Sequence, residues 1–61
     1  MRYRIVMKES ARNIPLEKTA EELSMEVNEL IQAGWEPLGG IAAGMRLGQY
    51  PFLAQAMLKK D

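Results

Sequence analysis

Arg46 and Tyr50 are the side chains of this sequence that best suit ligand binding. Both fall in a glycine-rich stretch, where we expect a flexible surface connection that offers a guanidinium and an aromatic ring to a planar or phosphorylated molecule. Arg4 and Gly40 complete the predicted ligand-binding set, with Arg2 as an alternative basic partner. The same residues also fit a solvated hairpin without a ligand, and the sequence leaves both interpretations open.

Four glycines, at positions 39, 40, 44 and 48, invite comparison with a phosphate-binding loop. Such a loop leads from a strand into a helix N-terminus and normally carries a Lys followed by Ser or Thr. Here the glycines lie within and after a predicted strand that leads to another strand. We therefore expect Gly39 and Gly40 to form a β-bulge, or a place where another backbone or a ring packs closely.

Catalytic chemistry has little support in the residue inventory. The chain contains no His and no Cys, which removes the usual general base, thiolate nucleophiles, imidazole metal ligands and disulfides. Glu residues at positions 21, 22, 26 and 29 are spread around a predicted helix instead of converging on a cation. We predict no catalytic residue, no metal site and no cofactor, and therefore a protein that is not an enzyme.

Length and charge limit the remaining classes of function. With 61 residues and a formal net charge of zero, the chain predicts a single compact domain over residues 1–61 with a small core. Residues 17–36 are acidic and the flanks are basic, a dipole that can steer an anion or set two copies head to tail. The absence of one strongly basic face argues against a nucleic-acid partner. The apolar runs are too short for a membrane span or a secretory signal, which favours a cytoplasmic location.

The most strongly patterned element is a helix. Thr19 and Glu22 have the spacing of a capping box, which predicts that the helix begins at Thr19. Gly34 fits the left-handed position just after the C-terminus, and Trp35 follows it as an expected core anchor. Apolar residues at spacings of three and four predict the buried side of the helix. They are Ala20, Leu23, Val27, Leu30 and Ile31.

Three strands are predicted around this helix. Residues 3–8 are rich in β-branched and aromatic residues, residues 35–43 show a period of two, and residues 52–58 are apolar at nearly every position. Pro37 cannot donate to a ladder, so the second strand belongs at an edge, whereas the apolar third strand belongs at the centre. We predict an α+β fold of the order β-α-β-β, with a three-stranded sheet in the order 1-3-2 and one helix packed on one face.

Self-association is the expectation that follows from this fold. One helix covers one face of the sheet, and the apolar third strand leaves side chains on the other face that need a cover. Depending on the register, these are Leu53 and Met57 or Phe52 and Leu58. We predict a homo-oligomer, a dimer or larger, in which the sheets of identical chains pack together. The predicted interface residues are Leu53, Met57 and Met25, the last of which is out of phase with the apolar side of the helix.

A resemblance adds to this interpretation. The run VNELIQAGWEPLGG at residues 27–40, followed by FLAQAM at residues 52–57, is similar to the core of a family of short bacterial and phage domains of unknown function. In that family the motifs V-N-E-L-I-x-x-G-W-E-P-x-G-G and Q-A-M occur in the same order. The resemblance covers most of the chain, implies a compact β-α-β-β fold and carries no reaction. The link through residues 13–16 is longer, and the connection over residues 44–51 less polar, than in the family pattern.

Two hypotheses of function result. The first is a small homo-oligomeric binding or interaction module. The second is a phage or bacterial sequestering protein that holds a small anion, such as a nucleotide, between copies through Arg46, Tyr50 and the basic flank. A small molecule that co-purifies with the protein would favour the second hypothesis over the first.

Overall fold

Strand, helix, strand and strand follow one another along residues 1–45 and 50–60, the part of the chain that the computed structural model describes. The elements are β1 (Arg2–Glu9), α1 (Leu16–Gln32), β2 (Trp35–Met45) and β3 (Pro51–Lys59). This is the predicted order, and each strand extends one or two residues beyond its predicted bounds at one end or both.

The sheet has the predicted strand order, β1-β3-β2. The central strand β3 pairs antiparallel with both neighbours, so β1 and β2 run parallel to each other at the two edges. β3 occupies the centre because its side chains are apolar on both faces, whereas Pro37 suits β2 to an edge. The prediction of an α+β fold with a 1-3-2 sheet is confirmed.

The helix begins about one turn earlier than the capping box predicts. α1 starts after Pro15, which makes no side-chain capping bond. The amide groups of Lys18 and Thr19 donate to the Pro15 carbonyl at 3.0 and 3.3 Å. Thr19 is instead a residue of α1 with a buried side chain, and its hydroxyl lies 2.9 Å from that of the buried Ser10. The predicted cap is therefore wrong, because the Thr19 hydroxyl pairs with the chain just after β1 and not with the start of its own helix.

The C-terminal end of α1 is as predicted. Ala33 caps the helix, and its amide donates to the carbonyls of Glu29 and Leu30 at 3.1 and 3.0 Å. Gly34 follows with φ of +99°, the left-handed conformation that glycine adopts without strain. Its amide donates to the carbonyl of Ile31 at 3.0 Å. The chain turns here directly into β2.

The core lies between α1 and one face of the sheet. Leu23 of α1, Val6 of β1 and Met57 of β3 are its fully buried hydrophobic members among the described residues. Partly buried side chains pack around them; these are Val27, Leu30, Trp35 and Leu53. The apolar side of the helix is therefore as predicted except for Ile31, which is exposed near the helix end.

Gly39 and Gly40 lie in the predicted β-bulge. The register between β2 and β3 shifts between Leu38 and Ala42, so that the residues between these two lie opposite Gln55 alone. Gly39 has φ of +73°, which a residue with a Cβ would adopt only with strain. The bulge interrupts the regular ladder of β2 near its middle.

The side chain of Gln55 holds this bulge in place. Its Nε2 donates to the carbonyl oxygens of Leu38 and Gly39 at 3.3 and 3.2 Å, and to that of Ala56 at 3.0 Å. Gln55 is a buried polar residue, so these bonds satisfy an amide that has little access to water.

Candidate interaction surface

The registers of the strands divide the side chains of the sheet between two faces. Residues opposite one another in neighbouring strands point to the same side. The side that carries Val6, Leu53 and Met57 is covered by α1. We call the other side the open face, because nothing else in the described part of the chain covers it. Its apolar residues are Tyr3, Ile5 and Met7 in β1, Phe52, Ala54, Ala56 and Leu58 in β3, and Leu38 and Ala42 in β2.

β1 turns most of its charged side chains towards the side that α1 covers and its apolar row towards the open face. The charged residues Arg2, Arg4 and Lys8 share the helix side with Val6, while the apolar residues Tyr3, Ile5 and Met7 lie on the open face. An amphipathic strand normally turns its apolar row towards a core. In β1 that row is uncovered, and on the helix side the Nζ of Lys8 lies 3.2 Å from a carboxylate oxygen of Glu26. β1 therefore presents its apolar row on the side of the sheet that α1 leaves uncovered.

The exposure of the open face is concentrated on its edge strands. Tyr3, Ile5 and Met7 are 60%, 61% and 48% exposed, and Leu38 is 51% exposed. The residues of the central strand β3 on this face are partly buried by their neighbours. Single exposed apolar residues are ordinary, whereas a contiguous apolar set across three strands is typical of surfaces that bind other molecules.

The open face is also uneven in height. The large side chains of Tyr3, Ile5 and Met7 form what we call the ridge, along β1. Beside it lies a low strip, the alanine strip, formed by Ala54, Ala56 and Ala42. At one end of the strip the ring of Phe52 covers Gly44, since a Cβ added to that glycine would stand 2.6 Å from the ring. The face therefore combines a projecting row with a shallow depression.

The structure corrects two of the three predicted interface residues. Met57 is fully buried beneath α1, and Leu53 packs against the same core. The register places the alternative pair, Phe52 and Leu58, on the open face. Because no part of Met57 is exposed to solvent, it cannot contact a second copy. Met25 is exposed on α1, and its part in an interface stays a prediction.

The predicted ligand-binding residues are not brought together within one chain. Arg46 lies outside the described residues. Arg4 lies opposite Met57, whereas Tyr50 directly precedes β3 at the other end of the sheet. The extended chain between these two levels spans about 20 Å. Gly40 lies in the bulge at the β2 edge with open space around it, and the described part of the chain contains no pocket.

Basic side chains instead gather at the end of the sheet where α1 ends. Arg2, Lys59 and Trp35 occupy one row across the three strands. The Nζ of Lys59 lies 5.9 Å from the centroid of the Trp35 ring, a cation–π geometry. Trp35 also packs against the core, which confirms it as an anchor. Arg4 follows Arg2 on the same side of β1, on the far side of β3 from the partly exposed indole.

The described residues offer neither a metal site nor a membrane-spanning helix. Within the described ranges, no three acidic side chains converge in the way that a metal site requires. No helix there combines the length and the apolar composition needed to cross a membrane. The surface that remains to be explained is the open face.

No model of a known protein family, no curated protein and no solved structure matches this chain. The resemblance to short bacterial and phage domains therefore stays a prediction. Any assignment of function rests on the geometry of the sheet and its side chains.

The alternation of residues in β1 is a signal in the sequence for the ridge, although none of the ridge residues belongs to the predicted interface set. Odd positions from 3 to 7 are apolar, and positions 2, 4 and 8 are charged. This alternation indicates one buried face for β1. It does not indicate that the helix covers the opposite face, because that depends on the connection between β1 and α1.

Proposed function

We propose that this protein is a small homo-oligomeric interaction module in which identical chains bury their open faces against one another. The observation that supports this proposal is the ridge. Tyr3, Ile5 and Met7 follow the alternation of a strand that faces a core, yet each is about half exposed or more. A second sheet packed over this face supplies the layer that the chain lacks.

The size of the core favours the same role. Three hydrophobic side chains are fully buried among the described residues. A domain of this length has a free energy of unfolding of about 3–9 kcal/mol, and the sequence contains no Cys for a disulfide. Association that buries further apolar surface stabilises the folded chain by mass action. The proposed role is non-enzymatic, and we place it in the cytoplasm, where a chain without disulfides loses nothing to reducing conditions.

Sedimentation velocity over a hundredfold range of concentration tests the proposal. We expect a dimer or larger species at micromolar concentration, with an unfolding temperature that rises with protein concentration. A monomer throughout the range, with an unfolding temperature independent of concentration, would overturn it.

The basic end of the sheet favours a second candidate, the sequestering of a small anion such as a nucleotide. Lys59 lies over the partly exposed Trp35, which offers a ring for stacking. Arg2 and Arg4 lie on the same side of the sheet, on the far side of β3 from that ring. These residues replace the pairing of Arg4 with Tyr50, which lie too far apart in one chain.

Mass spectrometry of the supernatant released from the heated protein tests this candidate. Sequestering predicts a bound anion and a thermal shift with nucleotides that falls as salt rises. The variant Arg4→Gln should weaken the shift, and Asn28→Gln, at an exposed position of the helix, should leave it unchanged. An empty supernatant together with no shift would leave the interaction module alone.

A further inference from the structure

We infer that the association is a closed two-fold dimer in which two open faces stack with β1 of each copy lying over β2 of the other. This inference rests on the proposed self-association and specifies its geometry. Three features of the described residues support it: the protection of both sheet edges, the footprint of the open face, and the fit of the ridge over the lower β2 row.

The edges of the sheet oppose the addition of a strand from a second copy. In β2, Pro37 has no N–H to donate, and the bulge after Leu38 interrupts the ladder. In β1, the helix side carries Arg2, Arg4 and Lys8. Antiparallel pairing of two β1 strands places residues of the same side opposite one another, so these cations would meet each other or Val6. The face of the sheet, and not its edges, remains for association.

The footprint of the open face suits a second copy of the same face. Three strands about 4.8 Å apart and about 25 Å long give a flat area of roughly 350 Å². The projecting side chains of the ridge raise the accessible area above this value. Two such flat areas make about 700 Å², and with the projecting side chains the buried area approaches the ~1,000 Å² at which specific interfaces begin. A two-fold axis uses the same patch on both chains, so each copy covers the other completely.

The relief of the open face decides between the two ways of stacking. A two-fold axis parallel to the strands places the ridge of each copy over the β2 row of the other, which carries Leu38 but leaves room at Ala42. An axis perpendicular to the strands places ridge on ridge and the lower β2 rows on each other, so the ridges hold the sheets apart and leave a gap between the β2 rows. Close packing therefore favours the axis parallel to the strands.

Charge is compatible with this choice. Glu9 and Glu36 are the charged residues of the open face within the described ranges, at diagonally opposite corners. In the inferred dimer Glu9 lies over the Gly44 end of the other copy and Glu36 over its Tyr3, so no carboxylate meets another. The basic ends of the copies do lie at the same end. Their cations are on the outer, helix sides, farther apart than the ~10 Å between sheets, and are screened by salt within about 8 Å.

The test uses Ile5 and Leu38, which lie at the same level of the sheet, each opposite Ala56. We expect Ile5→Glu alone and Leu38→Lys alone to raise the dimer dissociation constant at least about 30-fold, as measured by sedimentation velocity. Both positions are exposed in the single chain, so circular dichroism should show that both variants fold. Mixing the two variants should restore a dimer, since the new carboxylate of one copy then faces the new ammonium of the other.

Two controls make the result specific. Ile5→Lys mixed with Leu38→Lys should stay monomeric, because the substituted side chains then repel. Arg4→Glu, at the neighbouring position on the helix side, should leave the dimer intact. Disruption by Arg4→Glu without disruption by Ile5→Glu would show that the copies associate through the helix side and not through the open face, and would overturn the inference. A wild-type dimer whose mixed variants stay apart would overturn the stacking while leaving self-association standing. A monomeric wild-type chain would instead overturn the proposed function itself.

Discussion

Replacing Gln55 with Glu tests whether one amide holds the bulge of β2. The two side chains have the same shape, but an ionised carboxylate has no proton to donate. In the wild-type chain Nε2 donates to the carbonyls of Leu38, Gly39 and Ala56 at distances from 3.0 to 3.3 Å. In Gln55→Glu an oxygen takes the place of that nitrogen, and it faces three carbonyl oxygens in a site with little access to water.

The expected loss of stability is large relative to the whole domain. Nε2 carries two protons, so about two hydrogen bonds are lost, which amounts to roughly 1–3 kcal/mol. Burying an unpaired carboxylate against carbonyl oxygens adds further destabilisation of about the same size or more. A chain of this length has a free energy of unfolding of about 3–9 kcal/mol. We therefore expect Gln55→Glu to lower the unfolding temperature at pH 7 by more than about 10 °C.

Thermal unfolding followed by circular dichroism at several pH values and one protein concentration measures the effect. Burial and the facing carbonyls raise the pKa of the new carboxyl above its usual value of about 4.3. The folded state then holds the proton more tightly than the unfolded state, so the stability of Gln55→Glu relative to wild type falls as pH rises through this range and recovers in acid. Gln55→Met lacks the charge and should show a loss of about 1–3 kcal/mol at every pH. If Gln55→Glu were as stable as wild type at pH 7, the bulge would not depend on this amide.

Two further predictions concern local packing. Thr19→Val leaves the buried hydroxyl of Ser10 without its partner and should lower the free energy of unfolding in urea by about 1–3 kcal/mol. Adding Ser10→Ala should recover part of that loss. Equal stability of all three proteins would mean that the pair contributes nothing. Gly44→Ala forces the ring of Phe52 to move and should destabilise the fold by about 1–3 kcal/mol. In Gly40→Ala the added Cβ has open space around it and φ is not positive, so this variant should stabilise the fold by up to about 1 kcal/mol. The opposite order of these two glycine variants in thermal unfolding would contradict the placement of the ring.

Much of the architecture could be predicted from local patterns. The apolar third strand and Pro37 placed β3 at the centre and β2 at an edge, because each reflects what a strand can bury or pair within itself. Gly34 and Gly39 marked the helix end and the bulge, because both adopt positive φ. The start of the helix could not be predicted in this way. A cap at Thr19 satisfies local rules, and its actual pairing with Ser10 forms only when β1 and α1 pack together.

The sequence by itself determined which residues share a face, since a period of two alternates side chains across a strand. It did not determine which face α1 covers, nor the register that buried Met57 and Leu53 and left Phe52 and Leu58 on the other side. A shift of one residue exchanges the two faces of a strand, and only the packing of the helix against all three strands selects one of them. The ridge of Tyr3, Ile5 and Met7 is therefore visible as a pattern in the sequence, but only the tertiary structure makes it a surface.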